Sequence, residues 1–155
     1  MKFSTLLFLV TTVLFATPAI AQNTTDLEIL KQKIKADKKL LVAGNMELND
    51  EEAQGFWPLY DSYQKDLEHI NQRLGRTIRE YSEAYNKGSI PNDTAKRLMN
   101  EALAVEEAEV NLKRTYAEKL AKVLPATKVA RYMQMETKIR SLLRVELAQQ
   151  IPLVY

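Results

Sequence analysis

Apolar residues recur along most of the chain at spacings of three and four, the period of an α-helix with one buried face. The longest series ends before Gly88 and Pro91, two residues that favour termination of a helix. Its bulky members are Phe56, Tyr60, Tyr63, Leu67, Ile70, Leu74, Ile78, Tyr81 and Tyr85. This pattern predicts one long helix over Asp50–Asn86.

Three shorter series predict three further helices. The first covers Asp26–Ala43, with Gly44 as its C-terminal stop. The third covers Asp93–Val123, and the fourth begins near Pro125 and ends before Pro152. Their predicted buried faces contain Leu27, Leu30, Ile34 and Leu41, then Leu98, Ala102, Val105, Leu112, Tyr116, Leu120 and Val123, and then Val129, Tyr132, Ile139, Leu142 and Leu143. No alternating strand pattern occurs, so the predicted fold class is all-α with four helices.

A proline interrupts the longest series directly after two aromatic residues. Pro58 follows Phe56 and Trp57, the only tryptophan. Inside a helix, proline removes a backbone hydrogen bond and costs about 3 kcal/mol unless the helix bends. Burial of each large apolar side chain contributes roughly 1.5–3 kcal/mol and can offset that cost. The pattern favours a kinked helix with a packed bend, and an exposed aromatic patch that binds clients or a partner helix is the alternative.

The N-terminal segment has the layout of a secretory signal peptide. Lys2 precedes an apolar run that ends in the small-residue sequence around Ala19 and Ala21. The run is shorter than the roughly 20 residues that a membrane-spanning helix needs. We therefore expect cleavage after Ala21, a periplasmic location, no stable membrane insertion and a single helical domain over 22–155.

Composition narrows the chemistry. The formal net charge is +2, and removal of Lys2 with the signal peptide leaves +1, so no overall field favours nucleic acid. The chain contains no cysteine and one histidine, His69. Thiol catalysis, Cys-based metal sites and serine–histidine arrangements therefore have too few residues to form. We expect no enzymatic activity, no cofactor and no metal site.

Basic residues concentrate in the first and last predicted helices. The segment from Pro125 to Ile151 carries five bases and two acids. Solvated helix faces are the simpler interpretation of these charges. The alternative is a surface that binds acidic partners. The candidate client- or partner-binding residues are Lys31, Lys35, Lys38, Lys39, Phe56, Trp57, Arg131, Lys138, Arg140 and Arg144.

Two segments of the chain match at an offset of 76 residues. Leu48 then aligns with Leu124 and Phe56 with Tyr132, so each segment begins with a leucine and places bulky residues at equal distances. The leucines open the sequences LNDEE and LPATK, whose last residues are Glu52 and Lys128. In export signal, helical layout, length and motif position, the chain resembles the Spy/CpxP-like periplasmic proteins, which carry a twice-repeated LTxxQ motif.

The resemblance implies a cradle-like homodimer of long helices. It also implies an ATP-independent chaperone for unfolded envelope proteins, or an adaptor in envelope-stress signalling. Two alternatives remain open: a module that docks on one partner, such as the periplasmic domain of a sensor, and a structural or metal-buffering protein that uses acidic turns such as that of Glu106, Glu107 and Glu109.

Overall fold

The computed structural model describes residues 33 and 35–154, and these residues contain helices and no strand. Helix α1 is described over 35–46. It is followed by α2 (Asp50–Asn86), α3 (Asn92–Leu120) and α4 (Ala126–Gln150). The predicted all-α class and the bounds of the long helix are confirmed. The predicted signal peptide and the start of the first predicted helix lie outside the described residues.

The chain forms two compact units, 1–40 and 41–155. In the first unit, the described residues are helical. The side chain of its last residue, Leu40, is exposed. The second contains the end of α1, all of α2, α3 and α4, and the hydrophobic core. The buried members of this core are Val42, Met46, Phe56, Tyr60, Tyr63, Leu67, Tyr116, Leu120, Leu124, Val129 and Tyr132.

Helix α2 begins with a complete capping box. The Asn49 side chain accepts a hydrogen bond from the Glu52 backbone N–H, and the Glu52 carboxylate accepts one from the Asn49 backbone N–H, both at 2.9 Å. These bonds satisfy donors that an uncapped helix end would leave open. The helix then continues through Pro58, whose predicted bend stays a prediction, while Phe56 beside it is fully buried.

Contacts between helices define their directions within the second unit. α2 and α3 form an antiparallel pair, because Tyr63 meets Tyr116 near one end and Arg73 meets Glu101 farther along. At the far end of this hairpin, Gly88 adopts a φ of 91°, a left-handed conformation that glycine tolerates without a Cβ clash.

Two predicted helix ends are wrong. α1 continues past Gly44 to Met46, because the extra turn places Met46 one turn beyond Val42 and buries both completely. α3 ends at Leu120 rather than Val123. The turn that follows carries Val123 against Gly55 of α2 and buries Leu124 in the core.

Several predicted core positions are exposed instead. Leu41 lies outside the core, and so do Leu142 and Leu143 of α4. The inward positions at this level of α4 belong to Glu136 and Arg140, which are buried among polar partners. A pattern of apolar residues gives no sign that charged residues are buried. The prediction is therefore wrong for Leu142 and Leu143.

Candidate functional site

The two motif-like segments meet in the structure. Lys128 Nζ lies 2.5 Å from Glu52 Oε2, so the last residues of LNDEE and LPATK form an ion pair across 76 residues of sequence. Leu124 is buried in the core, and Leu48 is half-buried and packs against it. All four motif positions therefore contribute to one junction between the start of α2 and the start of α4.

The junction also closes the C-terminal end of α1. Lys128 Nζ donates to the Glu47 carbonyl at 2.8 Å, and an Arg131 guanidinium nitrogen donates to the Asn45 carbonyl at 3.2 Å. Cations are favourable at this end of a helix, where carbonyl groups lack intrahelical partners. Lys128 thus joins three helices, since it contacts the end of α1 and the capping carboxylate of α2 from its own position on α4.

The electrostatics of the junction favour an ionised Glu52. The hydrogen bond from Lys128, followed by that from the Asn49 backbone N–H, lowers the pKa of the Glu52 carboxyl below its ordinary value. Both bonds are made to the charged form, which is the form they stabilise. The junction is therefore a structural contact that depends on the charge of a carboxylate.

Behind the junction, an aromatic cluster joins α2 to α4. The ring of Phe56 contacts Tyr132 edge to face, with centroids 5.2 Å apart, and Trp57 in a T-shaped arrangement at 5.0 Å. Tyr63 links this cluster to Tyr116 of α3, with centroids 5.3 Å apart. Edge-to-face pairs contribute about 0.5–1.5 kcal/mol each beyond the area they bury. The cluster is the centre of the core.

Polar side chains continue the α2–α4 contact beyond the aromatic cluster. Gln64 Nε2 donates to Glu136 Oε1 at 2.8 Å and to Tyr132 Oη at 3.2 Å. Burial, and then the negative charge of Glu136, raises the pKa of the Tyr132 hydroxyl. Tyr132 therefore stays protonated and acts as a hydrogen-bond donor to Glu136.

A second buried polar group joins α4 to α3 and α2. Arg140 donates from Nε to Glu109 at 2.8 Å and from a terminal nitrogen to Asn71 Oδ1 at 2.6 Å. Burial of Glu109 acts to raise its pKa and is the largest single influence. The charges of Arg140 and Lys113 and their hydrogen bonds outweigh it, and the pKa lies below its ordinary value. Glu109 is therefore a buried carboxylate that stays charged.

Tyr116 of α3 binds α2 through a short polar contact. Its hydroxyl donates to Asp66 Oδ2 at 2.7 Å. Burial, and then this bond to a carboxylate, raises the pKa of Tyr116 to about 12. No buried side-chain nitrogen or oxygen of the described residues lacks a hydrogen-bond partner. The polar groups of the described interior therefore stabilise its packing.

The predicted client-binding residues on α2 and α4 differ in their exposure to solvent. Phe56 is fully buried and Arg140 is buried against Glu109, so the structure places both in the interior instead of on a binding surface. Trp57 is half-buried, while Arg131 and Lys138 are exposed. Arg144 is also exposed and lies 3.5 Å from Glu109.

The predicted lysines of the first helix fall in the other compact unit. Lys35 is exposed, whereas Lys38 and Lys39 are half-buried. Lys31 lies outside the described residues. Convergence of these lysines with the bases of α4 on one binding surface stays a prediction.

Sequence reasoning missed a charged groove between α2 and α3. Its volume is about 670 Å³, and ion pairs cross it between Arg73 and Glu101 at 3.0 Å and between Arg97 and Glu80 at 2.8 Å. The lining side chains carry charges of both signs in nearly equal number. Since those pairs satisfy one another, the groove offers no concentration of one charge for a ligand.

Large apolar side chains exposed to solvent are the other feature that the sequence did not reveal. They are Leu40, Leu41, Met99, Leu103, Val110, Val123, Leu142, Leu143, Val145, Leu153 and Val154. Single exposed apolar residues are common, so only a series on one helix face needs a further explanation. Met99, Leu103 and Val110 form such a series along α3, at intervals of four and seven.

Two other kinds of site are absent from the described part of the chain. No group of three or more histidine, cysteine, aspartate or glutamate side chains is arranged to hold a metal ion there. None of the helices in that part is long and apolar enough to cross a membrane. The chain matches no protein-family model, no curated protein and no solved structure.

Proposed function

We propose that this chain is a periplasmic, ATP-independent helical chaperone or stress adaptor that binds unfolded envelope proteins. The observation that supports the proposal most directly is the apolar series on α3, where Met99 and Leu103 are 56% and 57% exposed. Exposure of such apolar side chains to water is unfavourable, and a partner that covers them removes this free-energy cost. The resemblance of the two motif segments to the LTxxQ repeat supports the same class.

The charges around this series favour apolar segments of unfolded chains. The exposed charged residues of α3 are four acids and four bases: Asp93, Glu106, Glu107, Glu118, Lys96, Arg97, Arg114 and Lys119. Such a balanced surface gives no preference for acidic or basic partners, so hydrophobic contact dominates binding. A client with exposed apolar side chains, such as a denatured protein, has the required chemistry.

The test is suppression of aggregation of a chemically denatured protein at micromolar concentration. We expect the exported protein to protect the client, and the triple variant M99S/L103S/V110S to lose most of that protection. N111S, a substitution at an exposed polar position of the same helix, is the matched control and retains it. Absence of protection by the unmodified protein, at low salt and at about 0.3 M salt, would refute the chaperone proposal.

The salt series and a capture experiment separate the chaperone from the adaptor. Protection that weakens with salt indicates that exposed bases such as Lys138 take part in client binding. Co-purification from envelope fractions should recover many proteins with a chaperone and one protein with an adaptor. Recovery of a single sensor domain, without protection of clients, would favour the adaptor.

A further inference from the structure

We propose that Met99 is a site of reversible oxidation by peroxide, and that its oxidation weakens binding at the apolar series of α3. The chain contains no cysteine and five methionines. Its thioether groups are therefore the sulfur atoms that a two-electron oxidant can attack. Four of them follow the predicted cleavage site: Met46, Met99, Met133 and Met135.

The burial of these four side chains selects Met99 as the reactive one. Met99 is 56% exposed on α3. Met46 is fully buried, while Met133 and Met135 are half-buried and pack against the core. Because the sulfur must meet a dissolved oxidant, exposure decides which methionine reacts. Among the described residues, Met99 is the most accessible methionine.

The reaction is the transfer of one oxygen atom from a peroxide. The sulfur donates an electron pair to one oxygen of hydrogen peroxide, so that an S–O bond forms as the O–O bond breaks. The departing hydroxide takes the proton of the transferred oxygen and leaves as water. The sulfur is oxidised by two electrons, and the peroxide is reduced by two. A methionine sulfoxide reductase reverses the change.

The position of Met99 lets oxidation change the surface while the fold is kept. Met99 and Leu103 are four residues apart and lie on one face of α3. A sulfoxide is polar, so beside Leu103 it interrupts the apolar series. Met99 lies outside the hydrophobic core, whereas a sulfoxide at Met46 would place a polar group within it. The effect on client binding rests on the proposed function, and the choice of Met99 as the oxidised residue does not.

Peptide mapping by mass spectrometry, after stepwise treatment with hydrogen peroxide, identifies the oxidised residue. We expect Met99 to react about ten-fold faster than Met46, and before Met133 and Met135. Oxidation of Met99 alone should leave the urea unfolding midpoint unchanged. Reaction of Met46 as fast as Met99, or of Met133 before it, would overturn the assignment, and so would a lowered midpoint.

Client protection before and after oxidation, at the dose that modifies Met99, measures the effect on binding. The unmodified protein and M133L, the matched control, should then need about three-fold more protein or higher for half-maximal protection. M99L should keep its own untreated value, because leucine has no sulfur to oxidise. M99Q, whose amide imitates the polar sulfoxide, should protect less than the unmodified protein without any oxidant. Equal losses on oxidation of M99L and M133L would overturn the proposal.

Binding of an apolar fluorescent dye takes the place of the client if the unmodified protein protects none. That failure would remove the proposed function, but the dye would still decide about Met99. Dye binding that falls on oxidation of M133L and not of M99L supports the proposal. Equal responses of the two variants would overturn it.

Discussion

Phe56 and Tyr132, 76 residues apart in sequence, meet edge to face with their ring centroids 5.2 Å apart. The same separation relates Glu52 to Lys128, whose side chains form the ion pair of the motif junction. Contacts between α2 and α4 advance in the same direction along both helices, which therefore run parallel. Farther along, the separation falls to 72 for Gln64 with Glu136 and to 69 for Asn71 with Arg140. The weak internal similarity of the sequence thus has a physical counterpart at the start of the two helices, where two pairs of equivalent residues are in contact.

Phe56→Ala should destabilise the protein by about 3–5 kcal/mol, because it removes a fully buried ring from the aromatic cluster. Trp57→Ala should cost less, since Trp57 is only half-buried. Urea unfolding followed by circular dichroism measures both free energies. A larger loss of unfolding free energy for Trp57→Ala than for Phe56→Ala would contradict the central position of Phe56 in the aromatic cluster.

Gly55→Ala should be destabilising by about 1–3 kcal/mol. A Cβ at this position would lie 2.9 Å from Val123 Cβ, an atom close to the backbone that cannot move without shifting the turn. Gly75→Ala, in the same helix with open space around it, should raise stability by about 0.5–1 kcal/mol. The opposite signs of the two changes in thermal unfolding check the close approach, and a gain from both would contradict it.

Glu47→Gly should stabilise the protein by about 1 kcal/mol. Glu47 has a φ of 49°, a left-handed conformation that disfavours residues with a Cβ and suits glycine after a helix end. Only an exposed side chain 3.7 Å from Arg131 is lost. Gly88→Ala, at a φ of 91°, is the reverse control and should be destabilising. Denaturant midpoints measure both effects.

The buried pair of Glu109 and Arg140 should respond unequally to removal of either partner. Glu109→Leu leaves Arg140 buried without its anion and should cost about 3 kcal/mol. Arg140→Met should cost less, because Glu109 keeps Lys113 at 3.2 Å and Arg144 at 3.5 Å. A double-mutant cycle in urea gives the coupling, and equal losses from the two single variants would argue against this asymmetry.

Lys128→Met should change how stability depends on pH. The folded-state pKa of Glu52 lies below its ordinary value of 4.5, so its ion pair contributes stability above that pH and loses it as the pH falls through the lowered pKa. The melting temperature of Lys128→Met should therefore lie below that of the unmodified protein at pH 7, and the difference should shrink in acid. Lys138→Met, at an exposed site, serves as the control. A difference that grows in acid would have the wrong sign for this mechanism.

The parts of the fold that the sequence could predict are those with strong local signals. α2 combines Asn49 and Glu52 at its start with a long apolar series and Gly88 after its end, and both bounds were predicted correctly. The end of α1 was not, because the burial of Met46 outweighs the local tendency of Gly44 to stop a helix.

The site was less predictable, because its contacts depend on residues far apart in sequence. In the sequence, Arg140 has the features of a solvated base. Only the structure shows that it is bonded to Glu109, which lies 31 residues earlier. The motif residues Glu52 and Lys128 were recognised by their equivalent positions, but nothing local indicated that they form an ion pair with each other. Leu142 was assigned to the core since its spacing fits a helix face, and only the packed structure shows which face points inward.

The parallel arrangement of α2 and α4 also sets an order for folding. The α2–α3 hairpin joins residues such as Glu80 and Arg97, which are close in sequence, so little chain entropy is lost when it closes. The aromatic contact of Phe56 with Tyr132 joins residues much farther apart in sequence, so its closure loses more chain entropy. We therefore expect the hairpin to form in the folding transition state and α4 to dock afterwards. During synthesis, Phe56 and Tyr60 of α2 then lack their contacts with Tyr132 until the last quarter of the chain has been made.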